Sequence, residues 1–173
     1  MAKLRKFSAY RRLDARPYTR KSKYRKKSFI RASPNSKIVR YIMGDLKRND
    51  FPVKLSLCAK NALQIRHNAI ESSRMTANRY LEKNLGKSGY RFTIRMYPHH
   101  VLRENALASG AGADRLSTGM KFSFGKVVGI AARIREGQAM FTVEVEKDKY
   151  AAAKKALVRI GYKIPCKTFI IEE

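Results

Sequence analysis

The sequence predicts an α+β fold: an antiparallel sheet with two helices packed on one side, an extended basic N-terminal arm and a long Gly/Ala-rich loop. Three observations carry this. Several short runs alternate apolar and polar residues with a period of two, and two longer stretches repeat every ~3.6 residues. The first 31 residues hold thirteen Lys and Arg against the single Asp14. The boundaries that follow are an arm over residues 1–36 and one domain over residues 37–173, with a finger loop inserted at 98–126.

The arm comes first. Pro17, Pro34 and scattered Ser and Thr leave it extended or turn-like, since proline fixes φ and removes a donor. Phe7, Tyr10, Tyr18, Tyr24 and Phe29 punctuate its charges. A merely solvated tail has no use for rings, whereas RNA offers bases for stacking and phosphates for charge. Arg5, Arg11, Arg12, Arg16, Arg20, Lys21, Lys23, Arg25, Lys26 and Lys27 are therefore the arm's candidate RNA contacts.

The globular pattern starts at Lys37. Ile38–Met43 is β-prone and ends at Gly44, and Val53, Leu55 and Leu57 alternate with Lys54 and Ser56 as a half-buried strand. Ala59–Leu85 is expected as one long helix stopped by Gly86. Its apolar arc holds Leu63, Ala69, Ile70, Ala77, Tyr80 and Leu81, with Arg66 and Arg74 inside it. Two accounts of those arginines stand level: pairing of Arg74 with Glu71, and a helix edge that meets RNA. Tyr90, Phe92, Ile94 and Met96 form the cleanest strand, and Arg91 and Arg95 on its opposite face are candidate RNA contacts.

Val128, Ile130, Ala132 and Ile134 read as a strand whose hairpin partner, across Glu136–Gln138, carries Phe141, Val143 and Val145. Asp148 is placed to cap a helix with Ala153, Ala156, Leu157 and Ile160 inward and Gly161 as its stop. A last strand spans Cys166–Ile171.

Between the strands, residues 98–126 form a connection far longer than the usual ~4–6 residues. Glycines 110, 112, 119 and 125 with neighbouring alanines make a slender tip that can approach another molecule closely. Arg103, Arg115, Lys121 and Lys126 flank it.

The chain has 173 residues and a formal net charge of +26, from 39 Lys and Arg against 13 Asp and Glu. Such a protein repels itself unless a polyanion screens it. Nucleic acid fits better than a membrane, because there is no transmembrane-length apolar run and no lipid signal. Cys58 and Cys166 lie far apart without metal-ligand spacing. His67 reads as a packing residue, and the adjacent His99 and His100 make a poor chelate. No P-loop, dinucleotide fingerprint or nucleophile elbow is present. An enzyme, a cofactor and a metal site are not expected. A free RNA chaperone remains as an alternative, separable by sedimentation because it would stay in light fractions at moderate salt.

Three strings carry a resemblance: QIRHNAIESSRMTANRYL at Gln64–Leu81, IRMYPHHVLREN at Ile94–Asn105, and GAGADRLSTGM at Gly110–Met120. They resemble a universal large-subunit ribosomal protein family, L-sixteen in bacteria and L-ten-e in its archaeal and eukaryotic branch. The end at Glu173, without a eukaryotic-type extension, suggests an archaeal member. Val127 and Lys121 depart from the family's usual Pro and Arg at the base of the finger. The resemblance implies binding to large-subunit ribosomal RNA between the central protuberance and the stalk base, beside neighbouring ribosomal proteins. It further implies a finger of Arg103, Gly110, Ala111, Gly112, Ala113, Asp114 and Arg115 that points toward the acceptor ends of tRNA. A cytoplasmic, ribosome-bound protein with no membrane partner and no homo-oligomer is expected.

Overall fold

The computed structural model describes residues 6–11, 13, 24–27, 30, 33–105, 110–112 and 125–172. Among the described residues, eight strands and two longer helices follow the arm: β1 (Ile42–Gly44), β2 (Val53–Ala59), β3 (Leu63–Arg66), α1 (His67–Leu85), β4 (Tyr90–Ile94), β5 (His100–Glu104), β6 (Lys126–Ile134), β7 (Ala139–Val145), α2 (Tyr150–Gly161) and β8 (Thr168–Glu172). The α+β class is as predicted. The strands divide, however, into a five-stranded sheet ordered β1-β4-β7-β2-β8 and a three-stranded sheet ordered β3-β6-β5.

Register explains the two faces of the larger sheet. Leu55, Val143 and Phe92 are cross-strand partners, as are Leu57, Phe141 and Ile94. Partners in an antiparallel ladder share a face, and this face forms the main core with Ile70, Ala77 and Leu81 of α1 and Ala156, Leu157 and Ile160 of α2. Phe92 and Phe141 stack at 5.9 Å between ring centroids. The opposite face is polar: Ser56 and Thr142 hydroxyls meet at 3.1 Å, and Lys54, Glu144 and Arg91 stand in register.

Three expectations are corrected. The helix begins at His67, not Ala59, because Leu63 and Ile65 alternate with Gln64 and Arg66 and pair with β6 as a strand. Its end is as predicted, with Gly86 at φ 70° donating its N–H to the Glu82 carbonyl. The proposed hairpin of β6 with β7 does not form. Gly137 makes the turn at φ 73°, but its N–H donates to the Ala59 carbonyl at 2.9 Å and the chain changes sheets there. β7 then pairs with β2 and β4, and its nearly unbroken burial fits a central strand. Asp148 lies in a short 3-10 turn, and α2 starts without a side-chain cap.

Residues 98–126 are also more regular than expected, since 100–104 form β5 and pair with the start of β6. The finger is thus carried on a β-hairpin. Glu71 and Arg74 decide one open question: the guanidinium donates to both carboxylate oxygens at 2.6 and 2.9 Å, holding the Glu71 carboxyl below its usual range. Local pairing accounts for Arg74.

Replacing Phe141 with Ala should lower the unfolding free energy by ~3–5 kcal/mol in urea titrations, whereas Phe169→Ala, on the exposed side of the edge strand, should cost less than ~1 kcal/mol. Equal losses would contradict this placement of the core.

Candidate nucleic-acid interface

The smaller sheet positions the basic groups. Alternation along β3 and β6 puts Leu63, Ile65, Ala132 and Ile134 on one face, where they join the main core. Val101 and Ile130 continue that face and are covered by Ile30 from the arm. The other face carries Gln64, Arg66, Arg133 and His100.

The arm is laid over this second face. The Gln64 side-chain amide donates to the Tyr10 carbonyl at 3.1 Å, and the Gln64 N–H donates to the Arg11 carbonyl at 3.0 Å. Arg133 donates to the Leu13 carbonyl at 2.8 Å. The Arg66 guanidinium sits 5.2 Å from the Tyr10 ring centre, a cation–π distance. The Tyr10 hydroxyl donates to Glu104 Oε2 at 2.9 Å. Glu104 ends β5 at the root of the finger, so Tyr10 joins arm and finger. The lack of period in the arm hid this docking, because nothing local in the sequence records a contact 94 residues away.

The remaining predicted contacts scatter around this face. Arg11 is exposed and lies over the Phe7 ring at 5.5 Å. Lys26 and Lys27 are exposed on a 3-10 turn begun by Arg25, and Lys27 lies 5.6 Å from the centre of the exposed Tyr24 ring. Arg103 is half-buried beside the finger root, its guanidinium lowered from its ordinary value by burial. Gly110, Ala111 and Gly112 are exposed, and a Cβ added at either glycine would meet nothing within 4 Å. On the larger sheet Arg95 is exposed. Arg91 instead donates to the Asn49 side chain and to the Arg48 carbonyl, and Arg48 is itself paired with Asp50 and Glu146 at 2.8 and 2.5 Å. Arg5, Arg12, Arg16, Arg20, Lys21, Lys23, Ala113, Asp114 and Arg115 lie outside the described residues.

Arg133 is the residue that sequence reasoning missed. Its signal was present: it sits in an otherwise apolar run, Ile130–Ile134. His100 gains its meaning from the same face. Burial, with Arg133 and Arg103 nearby, pushes its imidazole down to about 4. His67, 6% exposed, is lowered in the same direction by burial, Lys37 and Arg66, and its Nδ1 accepts from the Lys37 N–H at 3.4 Å. Both rings are neutral packing groups at neutral pH. Among the described residues no cluster of His, Cys, Asp or Glu could hold a metal ion, and no helix is long and apolar enough to cross a membrane.

Comparison with known proteins identifies the family. The family model described as ribosomal protein L16p/L10e matches residues 19–171. The large ribosomal subunit protein uL16 of Methanococcus aeolicus is 48% identical over 168 residues, covering 97% of this chain and 93% of its own length. Its namesake from Archaeoglobus fulgidus is 44% identical over 164 residues, covering 95% and 90%. That from Methanocella arvoryzae is 44% identical over 150 residues, covering 87% of each.

The two histidines give the fold an acid sensitivity. An unfolded chain protonates them near 6.5, whereas the native His100 stays neutral down to about 4. The unfolded state therefore binds more protons between those values, and the contribution of neutral His100 to stability is full above ~6.5 and is lost as pH falls toward ~4. In denaturant titrations across that window, His100→Gln should show a shallower loss than the natural chain; identical slopes would mean that His100 titrates freely.

Proposed function

The chain belongs to the ribosomal protein L16p/L10e family and is a structural, non-enzymatic constituent of the large ribosomal subunit, cytoplasmic and ribosome-bound; from that premise we propose how it works there. It binds large-subunit ribosomal RNA through its basic arm and carries the finger toward the acceptor ends of bound tRNA near the peptidyl-transferase region. It acts as a single copy among neighbouring ribosomal proteins and supports tRNA positioning without performing chemistry.

The observation that supports this reading most is the docking of the arm at the root of the finger, through Tyr10 and Glu104. Each Lys or Arg that neutralises a phosphate releases a condensed counterion, so a basic arm supplies affinity without sequence preference. Arg5, Arg11, Arg12, Arg16, Arg20, Lys21, Lys23, Arg25, Lys26 and Lys27 fill that role, and the rings of Phe7 and Tyr24, exposed beside Arg11 and Lys27, stand among these cations. Arg66, Arg91 and Arg95 add cations on the domain, where Arg66 and Arg91 already hold the protein's own loops and Arg95 is exposed. Fixing the arm to RNA then fixes the hairpin that bears Arg103 and the tip Gly110, Ala111, Gly112, Ala113, Asp114 and Arg115. The slender tip can enter a crowded crevice, and its low charge keeps it from sticking to the first phosphate it meets.

Lys26→Gln with Lys27→Gln tests the arm without disturbing the residues docked on the small sheet. Binding to large-subunit ribosomal RNA should lose salt dependence by ~0.9 log unit of slope per duplex phosphate contact removed, or ~0.7 for single strands. An unchanged slope would make this part of the arm a spectator. Deleting residues 109–115 should leave subunit incorporation intact but slow tRNA-dependent steps of translation; particles that translate normally would sink the finger assignment.

A further inference from the structure

We propose a second RNA contact at the end of α2, where Tyr162 stacks on an unpaired base of ribosomal RNA; this rests on the RNA-binding reading above and names a surface outside the arm and finger. Tyr162 is 82% exposed, the barest large hydrophobic side chain among the described residues. Its backbone is nevertheless fixed. The Lys163 N–H donates to the Ile160 carbonyl at 2.8 Å, the Ile164 N–H donates to the Gly161 carbonyl at 3.4 Å, and Ile164 is buried in the main core. Gly161 presses the helix end against β8, where an added Cβ would lie 3.1 Å from the Thr168 hydroxyl. The ring is therefore held out from a rigid turn.

Tyr162 stands on a ridge shared by two grooves. One is lined by Lys6, Phe7, Arg66 and Lys163, between the arm and the start of α1. The other runs between α2 and the β8 edge and is lined by Lys60, Lys154, Lys167 and Val158. No Asp or Glu among the described residues lines either groove. Lysines beside an edge strand also guard it against pairing with other chains, which accounts for Lys60 and Lys167. It does not account for Lys154, Lys163 or an uncovered ring between two cationic grooves.

The occupant that fits is a single strand. Its phosphates can follow the cations on both sides of the ridge while a base between them covers the ring. A duplex fits poorly, because its bases already stack on each other and offer no free face. The arm end of the band meets the surface already assigned to RNA, so a strand leaving the arm could continue over Tyr162 along one path.

The test uses the full chain and a labelled oligouridylate of ~12 nucleotides, with affinity measured over a range of salt. Tyr162→Ala should weaken binding roughly ten-fold with the salt slope unchanged, because a stacking contact and no phosphate contact is lost. Tyr162→Phe should bind as the natural chain does, and Lys154→Gln with Lys167→Gln should reduce the slope by ~0.7 per contact. The thermal midpoint of Tyr162→Ala should move little, since the ring is 82% exposed. If Tyr162→Ala binds as tightly as the natural chain while Lys26→Gln with Lys27→Gln still lowers the slope, the second contact is wrong and the RNA-binding reading survives. If the natural chain binds neither this oligonucleotide nor ribosomal RNA, that reading itself fails. If Tyr162→Ala loses affinity for polyglutamate and not for oligouridylate, the band takes an acidic protein and the proposal is overturned.

Discussion

A three-stranded sheet cannot stand alone in water; it needs something packed on it. In this protein the sheet β3-β6-β5 meets the main core at one end only, through Leu63, Ile65, Ala132 and Ile134. The arm supplies the rest. Ile30 closes the apolar face over Val101 and Ile130, while residues around Tyr10 cross the polar face and bond to Gln64 and Arg133. The same arm thus touches both faces of the sheet that bears the finger. Remove it, and Gln64, Arg66, Arg133 and the Val101–Ile130 pair each lose a contact.

That arrangement also resolves a conflict of charge. A chain of net charge +26 gains nothing from laying a basic arm on a basic face unless the contacts avoid like-charge pairing. Two of the described contacts give an arginine a neutral partner. Arg133 takes a backbone carbonyl and Arg66 takes a ring. Among the described contacts, the Glu104 carboxylate accepts from a phenol. Hydrogen bonds to charged groups contribute about 1.5–3 kcal/mol each, enough to help hold the described parts of the arm on the sheet. Lys26, Lys27 and Arg95 face outward.

How much of this was legible in the sequence follows from the range of each interaction. Period two identified β4 because its alternation is strict, and the inward face of α2 was clear because Ala153, Ala156, Leu157 and Ile160 repeat at helical spacing and are all buried. Gly86 stops α1 for a local reason, its positive φ. Apart from the local cap expected at Asp148, the failures are long-range. Residues 59–66 contain Ala, Leu, Gln and Arg, good helix formers, and only pairing with β6 makes Leu63–Arg66 a strand. The turn at Gly137 has the chemistry of a hairpin, yet its bond to Ala59 sends the chain into the other sheet. Likewise, the register that sets Glu144 opposite Arg91 joins residues far apart in the sequence. For the candidate interface the charge was legible and the geometry was not. Composition announced a polyanion, while the meeting of Tyr10 with Glu104 depends on a fold that no local pattern encodes.

The central claim is that the arm is a built-in part of the finger's support and not an appended tail. A double-mutant cycle on Tyr10→Phe and Glu104→Gln, read as unfolding free energy, measures that contact with other losses cancelled. The account predicts a coupling of ~1 kcal/mol or more, the two changes together costing little beyond either one alone. Strictly additive costs would mean that arm and finger root do not hold each other, and would contradict it.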